Sequence, residues 1–215
     1  IEPHSYDGHA AHWAGLDIPY VIHAPHYDKG LNLAVKTQCD QNLSLAREAI
    51  RFADLLHADT IIFHPGIEGD ITETARQLQM IKDPRIIIEN KPHFGRNRVR
   101  CNGSTPQELA FVMNEASVGF CLDIGHAICS ANAIGVDPLQ YLQAFIALGP
   151  KVFHCSDGVY ESMEDRHDHF GEGNFPLREL MALIPIGSRI TVETAKDSAD
   201  DLKDFEKDIS YLRSL

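Results

Sequence analysis

The chain has 215 residues, of which 44% are hydrophobic and 23% charged, and we expect residues 1–215 to form a single globular domain. The formal net charge of −12 excludes a wholly basic clamp for nucleic acid, although it leaves a local basic patch open. No apolar run is long enough to cross a bilayer, so no membrane association is predicted, and no protein partner is predicted either. The five cysteines include no C-x-x-C pair, which favours reduced thiols in a cytoplasmic protein.

Short apolar runs, many of them β-branched, alternate with longer segments of helical periodicity. In chain order, the predicted strands are residues 19–24, 60–63, 85–88, 118–122, 151–153 and 189–192, and a further strand is predicted to end at residues 1–2. The predicted helices are residues 39–57, 71–81, 105–116, 138–148, 176–184 and 199–212. Thr105 and Pro106 are a favourable helix start, because the threonine hydroxyl can cap the helix and proline suits its first position.

This alternation predicts an α/β fold with parallel strands and helical crossovers, either a closed barrel or an open doubly wound sheet. The barrel is favoured because no glycine-rich phosphate loop follows any strand, and because polar side chains follow many strands. We therefore expect a (β/α)8 TIM barrel of which seven strands are visible. The sequence starts without methionine near the end of a strand, which fits a barrel that lacks its first strand and helix.

Side chains that can bind metal stand at the carboxyl ends of six predicted strands: His26, His64, Glu89, Asp123, His154 and Glu193. In a barrel these ends converge on one face, so the six groups are expected in one pocket. A single histidine at a strand end is more often a hydrogen-bonded core residue, so the whole set carries the prediction. His23 lies three residues before His26, and we expect it to face the other side of the strand in a structural role.

Three further candidate ligands follow these strand ends: His126 in CLDIGHA, and Asp165 and His167 in DRH. An Asp-x-x-His pair alone is more often a capped turn than a pair of ligands. Together with the strand-end residues, the set contains five histidines and four carboxylates, a mixture that suits zinc or manganese. Nine ligands suffice for two or three ions that share a bridging carboxylate.

A second pattern is a local concentration of cations in NKPHFGRNRVRC, which contains Lys91, Arg96, Arg98 and Arg100. In a barrel this loop lies over the catalytic face, where arginine suits phosphate, although an ordinary solvated loop is an equal alternative. His93, Arg166 and His169 are further candidate substrate contacts beside the candidate ligands. Bound metal ions would offset the local negative charge, so a phosphodiester is a possible substrate despite the acidic composition.

Seven motifs in order resemble those of one superfamily: APHYDKGLNLA, FHPG, IENKP, CLDIGHA, FHCSDG, DRHDHFGEGN and TVET. This superfamily, AP endonuclease family 2, is shared by endonuclease IV-like enzymes of abasic-site DNA repair and by xylose-isomerase-like isomerases and epimerases. The resemblance spans nearly the whole chain. It implies that Glu89, Asp123, His154 and Glu193 form the single-metal site of the isomerases. Endonuclease IV enzymes keep this quartet and add five ligands, matched here by His26, His64, His126, Asp165 and His167.

By this resemblance up to three zinc ions are bound. One is bound by His26, His64 and Glu89, a second by Glu89, Asp123, His154 and Glu193, and a third by His126, Asp165 and His167. The implied activity is metal-dependent phosphodiester hydrolysis, in which metal-bound hydroxide attacks phosphorus, and DNA is among the candidate substrates. Lys29 and Gly30 stand where endonuclease IV enzymes carry residues that penetrate the duplex. A residue near Tyr6 stands where those enzymes have an arginine.

The alternative function is isomerisation or epimerisation of a sugar or sugar phosphate. In that case one manganese or magnesium ion polarises the substrate, and Glu89 and Glu193 are the catalytic acid–base pair. His26 and His64 favour the hydrolase, because a single-metal isomerase does not require them. A barrel that binds metal without turnover is disfavoured, since no member of the ligand set is missing.

Overall fold

The computed structural model describes residues 10–215, so the strand end predicted at residues 1–2 and the residue near Tyr6 lie outside the described residues. The chain folds as two compact units. Of the described residues, the first unit contains those up to Asn90 together with Val99–Phe120, and the second contains Lys91–Arg98 and Cys121–Leu215. Each unit has its own strands, helices and candidate ligands.

The first unit alternates strands and helices as predicted. Its elements are α1 (Ala10–Ala14), β1 (Ile22–His23), α2 (Cys39–Leu55), β2 (Ile61–Phe63), α3 (Ile71–Ile81), β3 (Ile86–Glu89) and α4 (Pro106–Ala116). The strands pair in parallel, with Ile22 of β1 opposite Ile61 of β2, and Ile61 opposite Ile86 of β3. Because a helix separates each strand from the next, the predicted helical crossovers are confirmed.

The second unit continues the same pattern. Its elements are β4 (Gly119–Asp123, which starts in the first unit), α5 (Ile124–Ile134), α6 (Pro138–Ile146), β5 (Val152–Cys155), α7 (Leu177–Leu183), β6 (Arg189–Val192) and α8 (Lys203–Arg213). Cys121 of β4 is opposite Val152 of β5, which is in turn opposite Arg189 of β6, again in parallel. The six predicted strands between residues 19 and 192 are therefore all present, with ends shifted by a few residues.

Two helices were not predicted from the sequence. α5 is buried at eight consecutive positions, Ile124–Ala131, so its sequence lacks the alternation of apolar and polar faces that marks a surface helix. The short helix α1 was not predicted either.

The start predicted for α4 is confirmed: Glu108 N donates to Thr105 Oγ1, Glu108 Oε2 accepts from Thr105 N, and Pro106 is the first helical residue.

Most strands are buried on both faces, as expected for parallel strands covered by helices. Every residue of β2, β3 and β5 is buried, whereas β6 leaves Arg189 and Ile190 exposed. The five cysteines form no disulfide, and burial raises the pKa of the Cys129 and Cys155 thiols. Within residues 10–215, no helix has the length and apolar character needed to cross a membrane.

Candidate metal centre

A group of histidines lies at the carboxyl ends of the strands of the first unit. His23, His26 and His64 each offer a ring nitrogen, and these nitrogens lie within 4.8 Å of one another. The Nε2 atoms of His23 and His64 each lie 3.3 Å from Oε2 of Glu89, whose side chain is 1% exposed. We call these four residues the histidine cluster. All four side chains offer atoms that bind divalent metal ions.

The orientation predicted for His23, on the other side of the strand from His26, is wrong. β1 ends at His23, and the following Ala24 and Pro25 are outside the strand, so the alternation of side chains does not continue to His26. His26 instead precedes a short 3₁₀ turn, Tyr27–Lys29. As a result the two imidazoles stack, with their ring centroids 5.8 Å apart, and both lie against the ring of His64.

The second unit carries three candidate ligands on its strands, Asp123, His154 and Glu193, which we call the strand cluster. One ligand atom from each lies within 4.8 Å of the others. Strand register accounts for this, because Asp123 on β4 is directly opposite His154 on β5. Nδ1 of His154 lies 2.9 Å from Oε1 of Glu193, the residue that follows β6.

A third group, the loop cluster, consists of His126, Asp165 and His167, also within 4.8 Å of one another. Nε2 of His126 lies 3.2 Å from Oδ2 of Asp165, and Nε2 of His167 lies 2.5 Å from the same oxygen. Asp123 also caps α5, because its Oδ1 accepts from His126 N at 2.6 Å. The Asp-x-x-His sequence therefore both starts a helix and aims two candidate ligands.

The electrostatics of the loop cluster favour a carboxylate beside imidazolium. Burial opposes ionisation of Asp165, yet hydrogen bonds from His126 and His167 hold its pKa well below the ordinary value. Burial also disfavours the charged form of His167, but the hydrogen bond to Asp165 raises its pKa to about 9. A metal cation bound at Asp165 would replace the proton that His167 carries.

Two buried aspartates hold the loop that carries Asp165 and His167. Asp157 is 1% exposed, and its carboxylate accepts the backbone N–H groups of Gly158, Gly171, Gly173 and Phe175 at 2.8 to 3.2 Å. Asp208 on α8 accepts from Phe170 N, from Thr194 and from Nδ1 of His169. Neither aspartate was identified from the sequence, since their partners are distant along the chain.

The four candidate phosphate-binding cations of this loop differ in their exposure and in their partners. Arg96 and Arg98 are exposed, and the guanidinium of Arg98 lies 5.3 Å from the centroid of the Phe94 ring. Lys91 is 7% exposed. Arg100 is held by Glu108, whose Oε1 lies 3.2 Å from its Nη2, so Arg100 belongs to the start of α4.

The remaining candidate substrate contacts have partners within the second unit. Arg166 forms an ion pair with Asp168, with Nε 3.1 Å from Oδ2. The pKa of His169 is raised by its hydrogen bond to Asp208. His93 lies edge-on to Phe94, with ring centroids 4.7 Å apart. Substrate binding by these three residues stays a prediction.

The donor chemistry of all three clusters fits zinc or manganese, which accept imidazole nitrogen and carboxylate oxygen. Each cluster joins at least one histidine to at least one carboxylate, and no cysteine is needed. Two of the histidines also show a feature of metal ligands, because the nitrogen away from the cluster donates to a backbone carbonyl. His23 Nδ1 donates to Ala24 O at 2.7 Å, and His167 Nδ1 donates to Glu193 O at 2.6 Å.

The chain resembles known proteins in its sequence. The chain matches the model of a protein family described as a xylose isomerase-like TIM barrel over residues 9–215. A protein named probable endonuclease 4 from Mycobacterium leprae is 24% identical over 201 residues, which are 91% of this chain and 75% of that protein.

Solved structures resemble the chain along nearly all its length. A D-tagatose 3-epimerase-like protein has a TM-score of 0.76 at 22% identity, over 97% of this chain and 84% of that chain. Endonuclease IV from Thermus thermophilus has a TM-score of 0.71 at 20% identity, over 98% of this chain and 83% of that chain. At this identity the likeness shows the fold, and the predicted TIM-barrel class is confirmed.

Proposed function

Because the chain belongs to the xylose isomerase-like TIM-barrel family, with residues 9–215 matched, we propose that it is a metal-dependent phosphodiester hydrolase resembling endonuclease IV. The proposed metal is zinc, with up to three ions per chain. The histidine cluster is the observation that supports this choice most strongly. A sugar isomerase that works with one metal ion needs a quartet of the kind Glu89, Asp123, His154 and Glu193, and it does not need a group of histidines at this position.

Metal bound at the clusters would lower the pKa of a coordinated water to about 7 and neutralise charge on the phosphoryl oxygens. The protein's own residues have distinct tasks. Asp123 fixes the start of α5 and with it the position of His126. Glu89 is 1% exposed, which keeps its carboxylate away from bulk water in the histidine cluster. Its assignment as a bridging ligand stays a prediction from the resemblance.

Lys91, Arg96 and Arg98 are proposed to bind the substrate phosphate, since guanidinium groups pair well with phosphate oxygens. Exposed arginines retain the freedom to meet a large substrate such as DNA, and the stacking of Arg98 on Phe94 limits the positions its guanidinium adopts. The relatives named endonuclease make an abasic site in duplex DNA the first substrate to test.

A second candidate is epimerisation of a sugar or sugar phosphate, with one manganese or magnesium ion. Two observations favour it. The structural likeness to the D-tagatose 3-epimerase-like protein reaches a TM-score of 0.76. In addition, Lys29 and Gly30 replace the residues that would penetrate a DNA duplex, and neither can serve as an apolar wedge. In this case Glu89 and Glu193 exchange the substrate proton.

The deciding experiment compares the two activities in protein from one purification, loaded with either zinc or manganese. Purified protein loaded with zinc is incubated with a duplex oligonucleotide containing one abasic site, and in parallel manganese-loaded protein is incubated with ketose substrates. We expect strand cleavage at the abasic site, and we expect His64→Ala to lower its rate on the order of 100-fold, in line with loss of a metal ligand.

His12→Ala is the matched control, because His12 is an exposed histidine outside the three clusters. It should leave the cleavage rate unchanged. Two results together would establish the second candidate and refute the hydrolase. The unmutated protein would cleave no DNA strand, and the His64→Ala variant would still epimerise a ketose.

A further inference from the structure

We propose that Asp208 is a positioning residue that holds the strand cluster and the loop cluster in a fixed arrangement relative to each other. It is not a ligand in either cluster, but it forms hydrogen bonds with both of the segments that carry their ligands. The inference rests on the proposed function only in taking zinc as the ion bound at these clusters. It goes beyond that function because it gives helix α8 a part in metal binding.

The segment that follows β6 lies beside the loop that carries Asp165 and His167. Nδ1 of His167 donates to Glu193 O at 2.6 Å, and Ala195 N donates to His167 O at 3.0 Å. Each segment carries a candidate ligand, Glu193 of the strand cluster and His167 of the loop cluster. A displacement of one segment therefore also displaces a ligand of the other cluster.

Asp208 joins the same two segments through its carboxylate and is 2% exposed. Its Oδ1 accepts from Phe170 N at 3.0 Å, and its Oδ2 accepts from Thr194 Oγ1 at 2.5 Å and from Nδ1 of His169 at 2.8 Å. Thr194 directly follows Glu193, whereas the other two donors belong to the loop. Three hydrogen bonds to one buried carboxylate fix the separation of the segments, because bonds to a charged acceptor are short and strong.

The backbone of the loop depends on such contacts. His167 has a φ of 53°, in the left-handed region that residues other than glycine seldom adopt. Residues 165–167 belong to no helix or strand, so regular secondary structure does not hold this conformation. Contacts with the segment after β6 and with α8 therefore determine where His167 lies in the loop cluster.

Asp204, one turn earlier on α8, is a buried aspartate with a different set of partners. It is 6% exposed, and its carboxylate accepts from Nζ of Lys196, from Asp197 N and from Phe205 N. These donors lie within 8 residues of Asp204 along the chain, whereas the partners of Asp208 lie 14 to 39 residues away. Asp204 thus anchors its own part of the chain, and Asp208 connects two segments that carry ligands.

The test compares the zinc affinities of Asp208→Asn and Asp204→Asn as a matched pair. Asparagine has one acceptor oxygen and an NH₂ group that donates, so Asp208→Asn leaves at least one of the three donors without an acceptor. We expect its zinc affinity to fall on the order of 10-fold or more at the strand and loop clusters and to stay unchanged at the histidine cluster. Asp204→Asn should lower the thermal stability, but it should bind zinc as the unmutated protein does.

The measurement does not depend on any catalytic activity. Titration of metal-free protein with zinc against a chromophoric chelator gives the affinities. Side-chain ¹⁵N signals of His64, His154 and His126 then assign each affinity to the histidine, strand or loop cluster.

A second pair of variants separates positioning from a general loss of stability. Thr194→Val removes the hydroxyl that donates to Asp208, whereas Thr194→Ser keeps it. We expect Thr194→Val to lose zinc affinity several-fold at the strand and loop clusters, and Thr194→Ser to keep the affinity of the unmutated protein. A residue that only stabilised the fold would lower the melting temperature of Thr194→Val and leave its zinc affinity unchanged.

Equal zinc affinities of Asp208→Asn and Asp204→Asn at every cluster would overturn the proposal, and so would a loss confined to the loop cluster. If Asp208→Asn does not fold, the Thr194 pair decides, and equal zinc affinities of its two members refute the proposal. If both pairs behave as expected but the unmutated protein cleaves no phosphodiester, the role of Asp208 stands and the proposed function fails. Cleavage by Asp208→Asn at the unmutated rate, with unchanged zinc affinity, refutes the role of Asp208 and leaves the proposed function intact.

Discussion

The histidine cluster and the loop cluster are built from similar side chains but are held in different ways. In the histidine cluster, His23 and Glu89 end strands and His64 directly follows one, so hydrogen-bonded sheet register sets their spacing. In the loop cluster, His126 is on α5, and Asp165 and His167 are on an irregular segment in which His167 has a φ of 53°. Side chains elsewhere must hold that segment in place.

The two clusters are positioned by different parts of the fold. Strand pairing, which the fold forms in any case, positions the histidine cluster, so few further residues are needed to hold it. The loop cluster depends on Asp157, which accepts four backbone N–H groups, and on the backbone pairing of Asp157 with Asp168. Substitution of a residue that is not itself a candidate ligand, such as Asp157, should therefore affect the loop cluster and leave the histidine cluster intact.

Asp157→Ala should have the largest effect. It leaves four N–H donors of a buried loop without their acceptor, and we expect the free energy of unfolding to fall by roughly 3 kcal/mol or more. Zinc affinity should fall at the loop cluster and stay unchanged at the histidine cluster. Urea unfolding and zinc titration measure the two effects.

Asp137→Ala is the matched control for this substitution. Asp137 is an exposed aspartate that caps α6 by accepting from Gln140 N at 2.8 Å. Its loss should cost about 1 kcal/mol and leave zinc binding unchanged at every centre. Equal loss of zinc at the histidine and loop clusters of Asp157→Ala would show that the two are not held independently.

Gly125→Ala should have an intermediate effect confined to the loop cluster. A Cβ atom at this helical position would lie 3.0 Å from Asp165 Oδ1, so the carboxylate must shift and its contacts with His126 and His167 through Oδ2 are disturbed. We expect roughly a 10-fold loss of zinc affinity there, together with unchanged or slightly higher stability, because alanine favours a helix over glycine by about 1 kcal/mol.

Gly135→Ala should give the opposite result. A Cβ at Gly135 meets no atom within 4 Å, but the residue has a φ of 74°, which alanine adopts at a cost of about 1 kcal/mol. Zinc affinity should be unchanged and thermal stability lower. If Gly125→Ala behaves in the same way, contact with Asp165 does not control metal binding.

Neutralising the exposed cations should have the smallest effect. Arg96→Gln and Arg98→Gln together should raise the KM for a phosphorylated substrate several-fold at low salt, and less at high salt because ions screen exposed charges. Both zinc affinity and stability should stay unchanged. A KM that does not respond would mean that the arginines form an ordinary solvated loop.

The sequence predicted the fold class, six strands and most helices, because buried strands have continuous apolar runs and surface helices have a clear period. It missed α5, whose continuous burial removes that period. The candidate ligands that end or follow strands could be identified because the ends of these apolar strands could be identified. The orientation of His23 was predicted wrongly because the predicted strand, residues 19–24, continued past the point where β1 ends.

Residues that support the loop cluster could not be predicted from sequence. Asp157 binds N–H groups 14 to 18 residues away at Gly171, Gly173 and Phe175, and no local pattern marks such pairs. Asp208 lies on α8, 38 residues from its partner Phe170. Only the folded chain brings these groups together, so their contribution becomes visible with the structure.

Elemental analysis of the purified protein, without exposure to chelators, tests the proposed metal centres most directly. The measurement gives moles of each metal per mole of chain, and it needs no knowledge of the substrate. We expect close to three zinc ions per chain. About one manganese or magnesium ion per chain, without zinc, would contradict the hydrolase and favour the sugar epimerase.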